Sequence, residues 1–552
     1  MKIKNKKFLT SPSDLNNFVS CKYLIQNDIK YLHKEIRRNE ESIDQKLWKE
    51  FGLKHEKKHF DLLKKYYKKN ISIKQDLTEE ERNKKTIEAI KKGYDLIYHA
   101  YLIDGDFRGE ADFLIKVNTS SDLGDFSYEV YDTKVSRKPK PRHIYQITAY
   151  SSMLSKIQGI LPLKMYLIDG ADITHQYKTK EFIDFYSFTK KNFDNYLKNI
   201  AKEKVYPEKC SHCNVCNYTE ECEKIWIEDN YINQVAKINR SQIDKLKKIG
   251  INTVKKLALT NPEKIKIKVN KQALKDRISQ AQLQEEKRET GKSKYIILDP
   301  DKGKGFYKLP EPDEGDLFFD IEGYPQEDGR GFEYLHGIYF KGQKGMEFKY
   351  FWAKDFKKKY EQENFIELIN FFKEHFKKYP KAHLYHYNSY EKRSLRQLAS
   401  LFSSDFPEGS NFVDTLLRGE KFVDLFLIIN QCVRTTEKDM SLKSIENVLY
   451  GFNRNANVKK AEDSVKLYDF WLSSKDKKTK EDIIEYNKED CVSTYHLREF
   501  LIKIKPESIE WFSIPEETEK RSTEKKDWEK IEVELKKSLE KKENAKNPLT
   551  ET

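Results

Sequence analysis

The run "YEVYDTKVSRKPKPRHIYQITAY", residues 128–150, decides the fold class. Its first part is rich in aromatic and β-branched residues and predicts a strand, followed by a helix near 141–156. Successive strand side chains alternate between faces, so Asp132 and Lys134 share one face while Tyr131 and Thr133 take the other. An isolated D-x-K is most simply a solvated ion pair on an edge strand. Its neighbours therefore carry the argument.

Upstream, "GEADFL" (109–114) places Asp112 on the preceding strand, and "FGLKHEKKHF" (51–60) offers His55 and Glu56 on a helix. Downstream, Gln146 and Tyr150 lie four apart, on one helical face. Metal-dependent phosphodiester hydrolysis needs carboxylates converging on a divalent cation, and a side-chain cation to orient or activate water. Asp112, Asp132 and Lys134 are those residue types on neighbouring strands.

The 552 residues are enough for two to four domains. With 104 basic and 90 acidic residues the formal charge is +14, and 13% of the residues are aromatic. Such a surface suits phosphates and unstacked bases. The basic start, "MKIKNKKFLTSPSDL", has no apolar h-region, and no apolar run approaches membrane-spanning length. A cytoplasmic protein with no membrane partner is expected. "SPSDL" (11–15) signals a helix start, with Ser11 or Ser13 as cap and Pro12 in the first turn.

A second strand-rich region opens with "GDLFFDIEGYP" (315–325), in which Asp320 and Glu322 share a strand face. "HLYHYNSYEKRSL" (383–395) contributes Glu391, and "IIEYNKEDCVSTYHL" (483–497) sets Tyr486 and Asp490 one helical turn apart. Between the two regions, residues 226–295 are Lys-rich and helical, with Gly250 as a turn in "IGINTVKKL". The tail 511–552 is almost wholly charged; Trp528, Ile531, Leu535 and Leu539 recur at helical spacing, so it is one amphipathic helix or disordered. No G-x-x-x-x-G-K-[ST] occurs, which argues against ATP hydrolysis by this chain.

Taken together, "GEADFL…YEVYDTK…HIYQITAY" resembles the RecB-like branch of the PD-(D/E)XK nucleases over about residues 8–225, within a domain expected to span 1–225. The resemblance implies a restriction-endonuclease-like α/β domain in which Asp112 and Asp132 bind Mg²⁺ or Mn²⁺. It further implies that Lys134 is the catalytic lysine and that Gln146 and Tyr150 line the site. The family's first motif, a helical His or Glu a turn after a Gly, meets both His55 and Glu56 after Gly52 here, and Glu56 has the better spacing. Residues 315–505, within a domain expected to span 296–510, resemble a YprB-type RNase H-like (DEDD) 3′–5′ exonuclease. That resemblance implies Asp320, Glu322 and Asp490 as ligands and Tyr486 as the residue orienting water. The family's middle Asp is Glu391 in this chain, with Asp424 in "FVDLF" as a weaker substitute.

"CSHCNVCNYTEEC" holds Cys210, Cys213, Cys216 and Cys222 within 13 residues, unlike the scattered pairs of a disulfide framework. One reading is a local zinc site using those four. Iron–sulfur members of the RecB-like group imply another, a [4Fe–4S] cluster held by Cys21, Cys213, Cys216 and Cys222, with Cys210 surplus. Cys432 and Cys491 look like ordinary buried thiols.

"IGINTVKKL" resembles a helix–hairpin–helix backbone-binding element, although a plain helical linker fits it equally. The expectation is a nucleic-acid-processing nuclease, DNA ahead of RNA and of the DNA-repair kind. The alternative is a binding or scaffold protein with one or both sites silent, docked onto a separate helicase, which is also the partner the long relatives suggest.

Overall fold

Six strands order the first half of the protein, seen in a computed structural model that describes every residue except 6, 42, 137, 266–268, 326–330, 455–460 and 514–552. In sheet order they are Asn70–Ser72, Leu96–Asp104, Phe107–Val117, Ser127–Thr133, Lys164–Ile168 and Thr174–Lys178. The first and fourth pairings are parallel and the others antiparallel. The Leu96–Asp104 strand buries Leu96, Ile97, Ala100 and Leu102 completely. Such near-continuous burial marks a strand covered on both faces.

The expected helix after Lys134 is Pro141–Gln158, closed by Gly159 at φ +75°. Its Ile147, Ala149 and Leu154 join the sheet's core with Leu114, Val130 and Leu167. A β-carbon on Gly109 would stand 2.6 Å from the Tyr150 ring and 3.1 Å from Pro12. Glycine there lets two helices close onto the strand that carries Asp112.

Of the two candidate caps, Ser11 starts the helix Pro12–Ser20: its hydroxyl accepts from Asp14 N–H, while the Asp14 carboxylate accepts from Ser11 N–H. Cys21 joins that helix to Lys22–Leu32. The helix expected at 51–60 is Ile43–Tyr66, and the edge strand Asn70–Ser72 follows it.

The chain divides into two compact units, one of Met1–Gln282 and one that, apart from residues 325–332, begins at Leu283. The helices Arg240–Lys247 and Val254–Ala258, joined through Gly250 at φ +82°, share a core with Tyr23, Cys222 and Trp226. This part of the segment expected to be a linker therefore packs within the first unit.

In the second unit, five strands lie in the order Gly345–Trp352, Gly331–Gly342, Leu317–Pro325, Leu384–His386 and Phe422–Asp424. Leu317–Pro325 runs parallel to Leu384–His386, which runs parallel to Phe422–Asp424. The helix Lys477–Ile504, begun by Asp476 accepting from Thr479 N–H, supplies Leu497, Phe500 and Leu501 to the core. The expected amphipathic pattern at Trp528, Ile531, Leu535 and Leu539 lies outside the described residues.

Candidate functional site

Asp112 and Asp132 meet because their strands pair antiparallel in the register Phe113↔Tyr131, so the next step sets the two acids opposite each other. Asp132 is fully buried, and Lys134 Nζ donates to its Oδ2 while Oδ1 has no hydrogen-bond partner. Burial, and then the Asp112 charge, raises the Asp132 carboxyl to about 7. Glu56 is pushed up to about 8 by burial first and by Asp112 next, with Asp132 and Glu110 adding to it. Burial works against the Lys134 charge, but Asp132, Asp112 and Glu56 outweigh it and hold the ammonium above its ordinary value.

Of the two first-motif candidates, Glu56 therefore faces the acids. His55 turns instead toward His59 and Asp172. Tyr150 is buried and held well above its ordinary value by burial and by Asp132, and Gln146 Nε2 donates to its hydroxyl at 2.9 Å.

Three further residues complete this pocket. His99, at φ +57°, has Nε2 3.2 Å from Glu56 Oε1 and Nδ1 against Glu110 Oε1. Arg82 also contacts Glu110, whose carboxyl is lowered to about 2 because hydrogen bonds from His99, Arg82 and Gln75 overcome its burial. The left-handed backbone at His99 leaves no trace in the spacing of polar residues, so this trio was missed. Glu110 alone was legible, two before Asp112 on the same strand.

In the second unit, one carboxylate oxygen from each of Asp320, Glu322 and Asp490 lies within 4.8 Å of the others. Burial, and then Asp490, raises Asp320 well above its ordinary value and Glu322 to about 8. Asn487 Nδ2 donates to Asp320 at 2.6 Å, and Ser464 Oγ donates to Glu322 at 2.7 Å. Tyr486 O–H accepts from Lys443 at 2.8 Å. Arg454 Nη1 stands 2.7 Å from Asp490 Oδ1 and also pairs with Glu446.

Glu391 is buried in the first turn of the helix Tyr390–Leu401 and lies outside that group of three. Its Oε2 is 3.4 Å from His386 Nδ1, and burial raises its carboxyl. It still adds to the charge that raises Asp320. Asp424 caps the helix Leu425–Cys432, accepting from Phe426 N–H at 3.0 Å and Asn388 N–H at 3.0 Å.

Residues 317–502 match the RNase_H superfamily model. The second unit thus contains an RNase H-like domain, and such a domain points to hydrolysis of nucleic acid. Its acidic triad, with Glu322 buried and Asp320 and Asp490 partly so, suits the divalent ions, Mg²⁺ or Mn²⁺, typical of RNase H-like nucleases. No curated protein matches the chain. Among the described residues, no helix is long and apolar enough to cross a membrane.

Cys21, Cys210, Cys213, Cys216 and Cys222 line one small cavity with Tyr23, His212 and Trp226. Cys210 Sγ and Cys213 Sγ are 3.9 Å apart, and Cys210 also acts on Cys21. Burial raises Cys213 to about 11 and Cys222 to about 12. Cys432 and Cys491 are buried thiols.

Proposed function

We propose that the protein is a metal-dependent nuclease with two hydrolytic centres acting on nucleic acid, DNA in preference to RNA. The observation that carries this reading is the convergence of Asp320, Glu322 and Asp490 inside the RNase H-like domain. Asp320 and Glu322, each raised by burial and then by the Asp490 charge, are strained without a cation, and a divalent ion relieves that repulsion.

The first centre is the RecB-like PD-(D/E)XK site, supported by Glu56, Asp112 and Asp132 around the unpartnered Asp132 Oδ1. These three acids would hold Mg²⁺ or Mn²⁺, which when bound stabilises developing charge on the phosphoryl oxygens. Lys134 then orients water toward phosphorus and balances the new negative charge. Tyr150, kept neutral by burial, accepts from Gln146 Nε2 and so fixes Gln146 in the site. In the RNase H-like domain, Tyr486 orients water and Glu391 stands behind Asp320 in the middle-motif position.

The domains are residues 1–225, a helical segment 226–295 that follows the strand, 296–510, and the charged tail 511–552. The cysteine cavity fits a thiolate metal centre, because Cys21, Cys213, Cys216 and Cys222, each raised by burial, release their protons readily only to a metal. The [4Fe–4S] set of Cys21, Cys213, Cys216 and Cys222 is preferred to zinc, since Cys21 shares the cavity. A separate helicase would supply unwound strands.

A second reading, in which the RNase H-like domain only binds nucleic acid, draws on Arg454 beside Asp490 and on Glu391 outside the triad. Labelled single- and double-stranded DNA and RNA, incubated with Mg²⁺ or Mn²⁺, test the proposal. Cleavage abolished by EDTA is expected; tight binding with no cleavage of any of the four substrates would overturn it.

A further inference from the structure

One group of metal-ligating side chains stands apart from both acid clusters. His55 and His59 are one turn apart on the helix Ile43–Tyr66, and Asp172 lies in the turn between the strands Lys164–Ile168 and Thr174–Lys178. That turn holds Asp172 in the left-handed region, φ +63°, which brings its carboxylate up to the helix. His59 Nε2 is 3.0 Å from Asp172 Oδ1, and His55 Nδ1 is 4.0 Å from the same oxygen. The two imidazole rings meet edge to face with centroids 4.6 Å apart. One donor atom from each of the three residues lies within 4.8 Å of the others.

Both rings are more than nine-tenths buried, and His55 Nε2 has no hydrogen-bond partner. Leaving a buried polar nitrogen unpaired costs roughly 1–3 kcal/mol, so this nitrogen asks for a ligand.

We propose that His55, His59 and Asp172 bind a divalent transition-metal ion of the zinc class, at a site separate from both acid clusters. Two imidazoles and one carboxylate are a donor set that suits zinc, and leave a fourth position for water or another ligand. The run His55-Glu56-Lys57-Lys58-His59 has the spacing of the H-E-x-x-H metalloprotease motif. Here Glu56 turns away to Asp112 and Asp132, so this ion lacks the general base that motif supplies. Its role is positional: it pins the helix that presents Glu56 to the turn at Asp172. Lys58 Nζ is 2.6 Å from Asp172 Oδ2, the oxygen not shared with the histidines, and so competes for the carboxylate's charge.

The test is zinc titration of the full-length protein, following bound metal after desalting and the thermal unfolding midpoint. Cobalt serves as a spectroscopic probe, because nitrogen and oxygen ligands give ligand-field bands without the thiolate charge-transfer absorbance of a cysteine site. Wild type should hold about one more zinc per chain than H59A or D172N, each of which should weaken this site at least about tenfold. K58Q should tighten it, since the competing ammonium is gone. If H59A fails to fold, the isosteric D172N and the exposed K58Q carry the test. Equal zinc content and affinity in wild type, D172N and K58Q would overturn the proposal.

Discussion

Thr133 donates both its backbone N–H and its hydroxyl to Asp112 Oδ2, each at 2.7 Å. In the same pocket, burial and then the Asp112 charge raise the carboxyls of Asp132 and Glu56. Thr133 thus serves the acid of the neighbouring strand, while the next residue, Lys134, serves Asp132 on its own.

Lys134 is expected to act on the reaction rather than on metal affinity, because it pairs with Asp132 and is not itself a ligand. K134A should lower the cleavage rate by about 10²–10⁴-fold, the range for a positioned proton-transfer or charge-stabilising group. Mn²⁺ affinity, measured calorimetrically, should stay within a few-fold of wild type. Loss of Mn²⁺ binding with K134A would assign the lysine a structural role.

Glu56 and Asp132 make stability depend on pH in a stated direction. Their folded values, about 8 and about 7, exceed those of an unfolded chain, so the folded protein holds protons that the unfolded chain has released. Stability without metal should fall as pH rises from about 4 to about 8. E56Q removes that penalty and should stabilise the metal-free protein at pH 8 by about 1–3 kcal/mol, with the gap closing near pH 4. Urea unfolding in EDTA measures it, and an E56Q protein less stable than wild type at pH 8 would count against the account.

Pairs set by local periodicity were legible in the sequence. Asp132 with Lys134 and Asp320 with Glu322 follow from the two-residue repeat of a strand, and Gln146 with Tyr150 and Tyr486 with Asp490 from the helical turn. The arrival of Asp490 at Asp320 and Glu322 depends on a helix some 165 residues further on, which only resemblance anticipated. The choice between His55 and Glu56 depends on how the helix Ile43–Tyr66 is rotated on the sheet, a matter of packing and not of spacing. The contacts of Arg454 and Lys443 were out of reach for the same reason: they join residues far apart along the chain.

Gly337 gives a packing test of the second acid cluster. A β-carbon there would stand 1.7 Å from Asn487 Oδ1, and Asn487 holds Asp320. G337A should displace Asn487 and lower Mn²⁺ affinity at the RNase H-like site by about tenfold, while leaving the first site's cleavage unchanged. Calorimetry on the D132N background, which removes a proposed ligand of the first site, resolves the two, and unchanged affinity would remove Asn487 from the site's support.

The cysteine cavity makes a colour prediction. Anaerobically purified protein should be brown, with about four irons per chain and little zinc. C21S should lose the iron and C210S should keep it. Stoichiometric zinc that depends on Cys210 and ignores Cys21 would replace the cluster with a zinc site.

The most direct test of two separate hydrolytic centres is the product-length distribution of end-labelled DNA with Mg²⁺, compared across wild type, D132N, D320N and the double variant. The account predicts that D132N suppresses initial cuts, that D320N leaves initial cuts intact but lengthens the end products, and that the double variant is inert. Products of D320N identical in length to those of wild type would contradict a second hydrolytic centre, and wild-type cleavage by the folded D132N would contradict the first.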